Sequence, residues 1–225
     1  MRSFKNTKIT DYLIGLIFSM LFVSISVIIT INFRPLYYID IKFLSIEKVS
    51  GISKFDIIQN YNALMEFLSP FYNGSLAFPT LSSSPEALQH FDEVKDIFIL
   101  FYYITFALLS ISIPITIYKT KKRDFQYLFA SSIISIVLPI VFTSMIFINF
   151  QKAFVLFHKL FFKNDNWLFD PNLDPVINIL PSEYFMHCAL LIILLILLFS
   201  FISFVIYKNN KRRGIQFRKN NYLNL

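Results

Sequence analysis

The sequence predicts an all-α integral membrane protein: four transmembrane helices with an extracytoplasmic helical cap built from two outward loops, one membrane domain over 1–225. Three observations carry this expectation. Hydrophobic residues make up 56% of the chain, charged residues 16%, and mean hydropathy is +0.58, a composition unlike that of a soluble domain. Four apolar runs, at about 11–33, 96–118, 127–150 and 185–207, each approach or exceed the ~20 residues that an α-helix needs to cross about 30 Å of hydrocarbon. Only helices satisfy their own backbone hydrogen bonds at that depth in so few spans. The third observation is charge placement. Basic residues gather before the first run (Arg2, Lys5, Lys8), in KTKKR at 119–123 and in KNNKRRGIQFRK at 208–219, against only Asp11 and Asp124, whereas the other two loops are net acidic. This asymmetry predicts both termini in the cytoplasm of a multi-pass protein of the plasma membrane.

The first run, DYLIGLIFSMLFVSISVIITINF, reads as a retained span. It is too long for the apolar core of a signal peptide and lacks a small-x-small cleavage site before the charge near Arg34. The net charge of +7 orients the chain and gives no reason to expect a nucleic-acid partner. Cys188 is the single cysteine, so no internal disulfide can hold the outward part together.

Two outward segments remain, 34–95 and 151–184. In the first, Ile57, Tyr61, Leu64, Met65 and Leu68 recur at helical spacing and predict a helix over 53–68. SPFYNG at 69–74 then predicts a turn. Ser83 with Glu86 fits a capping box and Pro85 a first-turn position. No breaker follows before Pro114, so this helix is expected to continue into the second span, with His90 on its outward extension and Glu93, Val94 and Ile97 on the same face. Pro114 and Pro139 are expected to kink spans two and three and open a lateral gap for lipid chains.

The second outward segment holds the aromatic stretch FHKLFFKNDNWLFDP at 157–171. From Gln151 to Lys163, helical spacing puts Lys152, Lys159 and Lys163 on one narrow stripe and Phe154, Phe157 and Phe161 opposite, the pattern of an interfacial helix. Trp167 and its neighbouring phenylalanines fit an aromatic belt. His158 falls between the wet and greasy faces, and the membrane surface does not explain it.

Of three histidines, His187 lies just inside span four, where a polar contact to a neighbouring helix or to headgroups is expected. His90 and His158 come from different outward segments at matching depth, with Asp92, Glu93, Asp165 and Asp170 nearby. The chain has no GxSxG elbow, no HExxH and no glycine-rich phosphate loop. Zinc on the two histidines lacks the usual ligand spacing, and NDNWLFDPNLD at 164–174 lacks the glycine and spacing of a calcium loop. No cofactor and no metal are expected. The pair fits general acid and base work near neutral pH, with the nucleophile brought by the substrate.

NYNALMEFLSPFYNGSLAFP at 60–79, HFDEVKDIF at 90–98 and FHKLFFKNDNWLFDPNLDPVINILPSEYF at 157–185, in this order between four spans, resemble the bacterial lipoprotein intramolecular transacylase family, Lit. The likeness covers nearly the whole chain, departing where Glu93 stands in place of the family's frequent Asp. It implies an acyltransferase that moves the sn-2 acyl chain of a diacylglyceryl-cysteine lipoprotein onto the free α-amine, leaving an N-acyl lyso-lipoprotein. Matched by motif, its two histidines are His90 and His158. In supporting or substrate-binding roles, Glu93 or Asp170 is expected to orient an imidazole, Asn166 or a backbone N–H to stabilise an oxyanion, and Trp167 to sit beside them. The expected partners are the lipoprotein substrate and membrane lipid. The alternative is a non-enzymatic membrane protein whose outward domain binds lipid or a protein partner.

Overall fold

The computed structural model describes residues 7–223, and every regular element among them is a helix. In chain order these are α1 (Ile9–Asn32), α2 (Arg34–Phe43), α3 (Ile46–Ser50), α4 (Lys54–Phe67), α5 (Pro85–Lys121), α6 (Gln126–Phe161), α7 (Val176–Ile179) and α8 (Ser182–Leu223). Three stretches are long and apolar enough to cross a membrane: Ile9–Asn32, Pro85–Lys121 and Ser182–Arg212. The predicted third span lies in α6, where the apolar helical stretch from Gln126 to Val141 is shorter.

The residues fall into two compact units. The first comprises Met1–Ser26, Ile104–Thr143 and Ile192–Leu225. Its helices meet through small polar residues, which let apolar helices approach closely and bond across the gap. Ser135 Oγ donates to Ser19 Oγ at 2.9 Å, and Ser200 Oγ to the Ser132 carbonyl at 2.7 Å. Gly15 backs onto α6 so closely that a Cβ there would come within 2.8 Å of the Ser131 nitrogen. Lys119 Nζ binds Asp11 at 2.6 Å and Asp124 at 3.1 Å, so the two acidic residues noted within the basic segments share one ammonium.

The second unit comprises Val27–Tyr103 and Ser144–Leu191. Its core is a tyrosine cluster. Tyr37 stacks on Tyr61 with centroids 3.7 Å apart, packs edge-on against Tyr184, and donates its hydroxyl to the Ile179 carbonyl at 2.6 Å. Ile57, Leu64, Phe67, Val176 and Leu180 surround these rings.

Several sequence expectations meet the structure directly. Helix 53–68 is α4, and Ser53 caps it by accepting from the Asp56 N–H. α5 runs unbroken from Pro85 through Pro114, so His90 and the second apolar run lie on one continuous helix. The capping residue is Ser84 rather than Ser83: Ser84 Oγ accepts from the Ala87 N–H at 3.1 Å, and Pro85 takes the first helical position. Proline suits that position because its missing N–H would have had no partner there. The break inside α6 falls at Asn149 (φ −168, ψ 101), ten residues beyond Pro139. Asn149 Oδ1 accepts from the Lys152 N–H at 2.9 Å, capping a fresh helical segment that ends at Phe161. The expected aromatic helix therefore starts with its own cap. α2 and α3, which pack Tyr37, Ile41 and Ile46 into the core, have no counterpart among the elements expected from sequence.

Candidate active site

The candidate site residues all lie within the second unit. His90 stands on α5 less than two turns past its N-terminus, outside the apolar run that begins at 96, and is 6% exposed. That end of α5 is fixed by a carboxylate that no sequence pattern singles out. Asp174, 4% exposed, accepts from the Ser84 N–H at 2.6 Å and from Ser84 Oγ at 2.9 Å. A carboxylate is favoured there because the helix N-terminus carries unpaired N–H groups and partial positive charge.

His158 lies on the segment that Asn149 caps and is 8% exposed. The spacing Phe154, His158, Phe162 puts three rings on one helical face. The imidazole lies 4.2 Å from Phe154 and 5.6 Å from Phe162, and Trp167 stacks on it at 4.7 Å with planes 28° apart. The His90 ring meets Phe162 edge-on at 4.6 Å and Phe169 at 5.5 Å. The two imidazoles are 5.9 Å apart between centroids. His158, expected between the wet and greasy faces of its helix, is enclosed by aromatic rings, and Trp167 packs on the imidazole.

This enclosure sets the protonation of the pair. Burial, and the nearby His158, push His90 down from the ordinary histidine value to about 4. Burial also lowers His158, and its hydrogen bond to the Phe154 carbonyl partly offsets that. His158 Nδ1 lies 2.8 Å from that carbonyl oxygen. A carbonyl only accepts, so Nδ1 carries the hydrogen and Nε2 of the neutral ring keeps its lone pair. His90 Nδ1 is buried with no hydrogen-bond partner.

The supporting residues fall into different places. Glu93 Oε1 accepts from Asn164 Nδ2 at 2.7 Å and from Gln89 at 3.4 Å, while Oε2 is buried and unpartnered. It ties the 162–175 loop to α5 and makes no hydrogen bond to an imidazole. Asp170 is exposed and accepts from the Asn172 N–H and side chain within its own turn, away from any imidazole hydrogen bond. The Asn166 backbone N–H donates to Asn164 Oδ1 at 3.2 Å. A cavity of about 310 Å³ is lined by Glu93, Asp96, Ile97, Phe161, Phe162, Lys163 and Asn164, and of these Phe162 packs against the His90 ring. Among the described residues, no three His, Cys, Asp or Glu side chains converge to hold a metal. His187 binds the Asp40 carboxylate at 2.9 Å, the polar contact to a neighbouring helix that its position suggested.

Phe162 and Phe169 could have been found from their spacing to His158 and from the aromatic density. Asp174 could not, because nothing in a loop's composition distinguishes a buried carboxylate from its exposed neighbours.

The sequence matches the family described as lipoprotein intramolecular transacylase Lit over residues 12–185. No match was found among curated proteins. Among solved structures, the membrane integral lipoprotein intramolecular transacylase Lit from Bacillus cereus matches with a TM-score of 0.88 and 38% identity, covering 92% of this chain and 98% of that one. Two variants of that protein, with a histidine replaced by arginine or by alanine, each match with a TM-score of 0.81 at 38% identity. They cover 92% of this chain and 94% and 96% of theirs. The chain belongs to the lipoprotein intramolecular transacylase family, Lit, and is a membrane-integral enzyme of that family.

Proposed function

We propose that this chain moves the sn-2 acyl chain of a diacylglyceryl-cysteine lipoprotein from the glycerol oxygen to the free α-amine of the same molecule, giving an N-acyl lyso-lipoprotein. The observation that carries this reading is the pair of buried imidazoles 5.9 Å apart, brought from two outward segments into an aromatic enclosure. In this reading four helices span the cytoplasmic membrane, the third running from Gln126 to the break at Asn149. Both termini are cytoplasmic, and the histidines stand on the extracytoplasmic face.

The substrate supplies both nucleophile and acyl donor, so the protein need only place them and move a proton. Free α-amines have pKa values of about 7.7–8.0, so the resting ammonium first loses a proton to solvent. The amine nitrogen then attacks the ester carbonyl carbon. A C–N bond forms, and the carbonyl electron pair moves onto oxygen. Because burial keeps both imidazoles neutral at pH 7, neither begins as an acid. The acid is made during the reaction. His158 Nε2 takes the second amine proton, and the imidazolium so formed returns it to the glycerol oxygen as the C–O bond breaks. His90 takes its place at that oxygen, where a ring N–H donates a hydrogen bond.

Mass spectrometry of the N-terminal peptide of a model lipoprotein tests this, in a host lacking its own N-acylating enzyme. Wild type is expected to give the N-acyl, mono-O-acyl form, and His90→Asn and His158→Asn to leave the diacyl form. A diacyl product with wild-type protein present in the membrane defeats the reading.

A further inference from the structure

We propose that the indole N–H of Trp167 is the donor to the oxyanion that forms when the amine attacks the ester. This rests on the transacylase reading above. A buried tryptophan normally gives its N–H a hydrogen-bond partner. Trp167 Nε1 is buried and has none, although the ring is held face to face with His158 at 4.7 Å. Buried polar atoms without partners are uncommon in native structures, and each one calls for an explanation.

The placement suits the chemistry. An amine bound to His158 Nε2 lies about 3 Å from it. In the tetrahedral adduct the oxyanion is two bonds from that nitrogen, so a donor packed directly on the imidazole lies within reach of it. Trp167 is such a group, whereas three other donors of its loop are committed. Asn164 Nδ2 serves Glu93, the Asn166 backbone N–H serves Asn164, and the Leu168 N–H serves the Asp165 carbonyl. The loop is itself fastened to α5 through Asn164 and through Asp174 with Ser84, which holds the donor in place before charge develops. The donor acts only on the intermediate. As the C–N bond forms, the carbonyl electron pair becomes the oxyanion. When the glycerol C–O bond breaks, the pair returns to the carbonyl and the N–H is released unchanged.

The test uses the full-length protein in detergent with a synthetic diacylglyceryl-cysteine lipopeptide. Trp167→Phe keeps an aromatic ring without the N–H. A second variant places benzothienylalanine at 167, with sulfur where the N–H was and the ring size kept. Both are expected to lower kcat about 10²–10³-fold, with KM changed less than about threefold and the pH profile unmoved. A benzothienyl variant that turns over within threefold of wild type shows that the ring and not its N–H matters, and overturns the proposal. So does an equal loss found in Asn166→Ala and absent from the Trp167 variants. Wild type turning over in the same assay keeps these outcomes separate from the transacylase reading, whereas an inactive wild type overturns both.

Discussion

Replacing Asp174 tests how the fold holds the site. Its carboxylate, 4% exposed, receives two hydrogen bonds from Ser84, at 2.6 and 2.9 Å, at the N-terminus of the helix that carries His90. Hydrogen bonds to a charged group contribute about 1.5–3 kcal/mol each, and a carboxylate at a helix N-terminus adds roughly 0.3–1 kcal/mol. Asp174→Ala loses all of these but also relieves the burial of a charge. A net loss of about 3 kcal/mol is expected, against about 1 kcal/mol for Asp174→Asn, which keeps an acceptor. For a chain of this length that corresponds to a fall in Tm of roughly 6–12 °C for the alanine variant. The single cysteine gives the assay. Cys188 packs against the tyrosine core, so a thiol-reactive dye reports opening of this unit on heating. A fall of less than about 2 °C in Asp174→Ala refutes the anchoring role. So does a double variant with Ser84→Ala whose loss equals the sum of the single losses, because groups in contact should couple.

Three further outcomes are expected. In the proposed mechanism the resting pair is neutral and the amine loses a proton before attack, so kcat/KM should rise about tenfold per pH unit up to about pH 8 and show no second break near 6.5. A slope of two below about 6.5 would contradict neutral resting imidazoles. The same lowered values fix the sign for stability. As pH falls from about 6.5 towards the lowered value of about 4 for His90, the unfolded chain binds protons that the folded chain does not. The unfolding midpoint should therefore fall across that window. His187→Ala removes the hydrogen-bond partner of the Asp40 carboxylate, which is 2% exposed, and should cost about 1–3 kcal/mol while the folded fraction turns over normally. Equal stability of His187→Ala and wild type in the dye assay would show that the pair contributes nothing.

What the sequence by itself determined was whatever repeats along the chain or is local to it. The apolar runs that α1, α5 and α8 contain were legible because a bilayer imposes length and composition on a continuous segment. The continuity of α5 from Pro85 followed from the lack of any breaker before Pro114. Helix α4 followed from its three- and four-residue spacing. His90 and His158 stood out because an imidazole in a greasy stretch needs a reason and the two lie at matching depth beside acidic residues, and a family resemblance pointed to the same pair. The rest depended on contacts between residues far apart in sequence. Ser84 displaced Ser83 as the cap because Asp174, 90 residues away, binds its N–H. Glu93 turned from the imidazoles to Asn164, 71 residues on, which no periodicity encodes. The tertiary structure also decided what Trp167 does. In a linear reading an aromatic loop beside a membrane is an interfacial belt, and only the fold shows that the Trp167 ring packs on His158. Both imidazoles are buried in that enclosure, and burial lowers their pKa values from the ordinary histidine value.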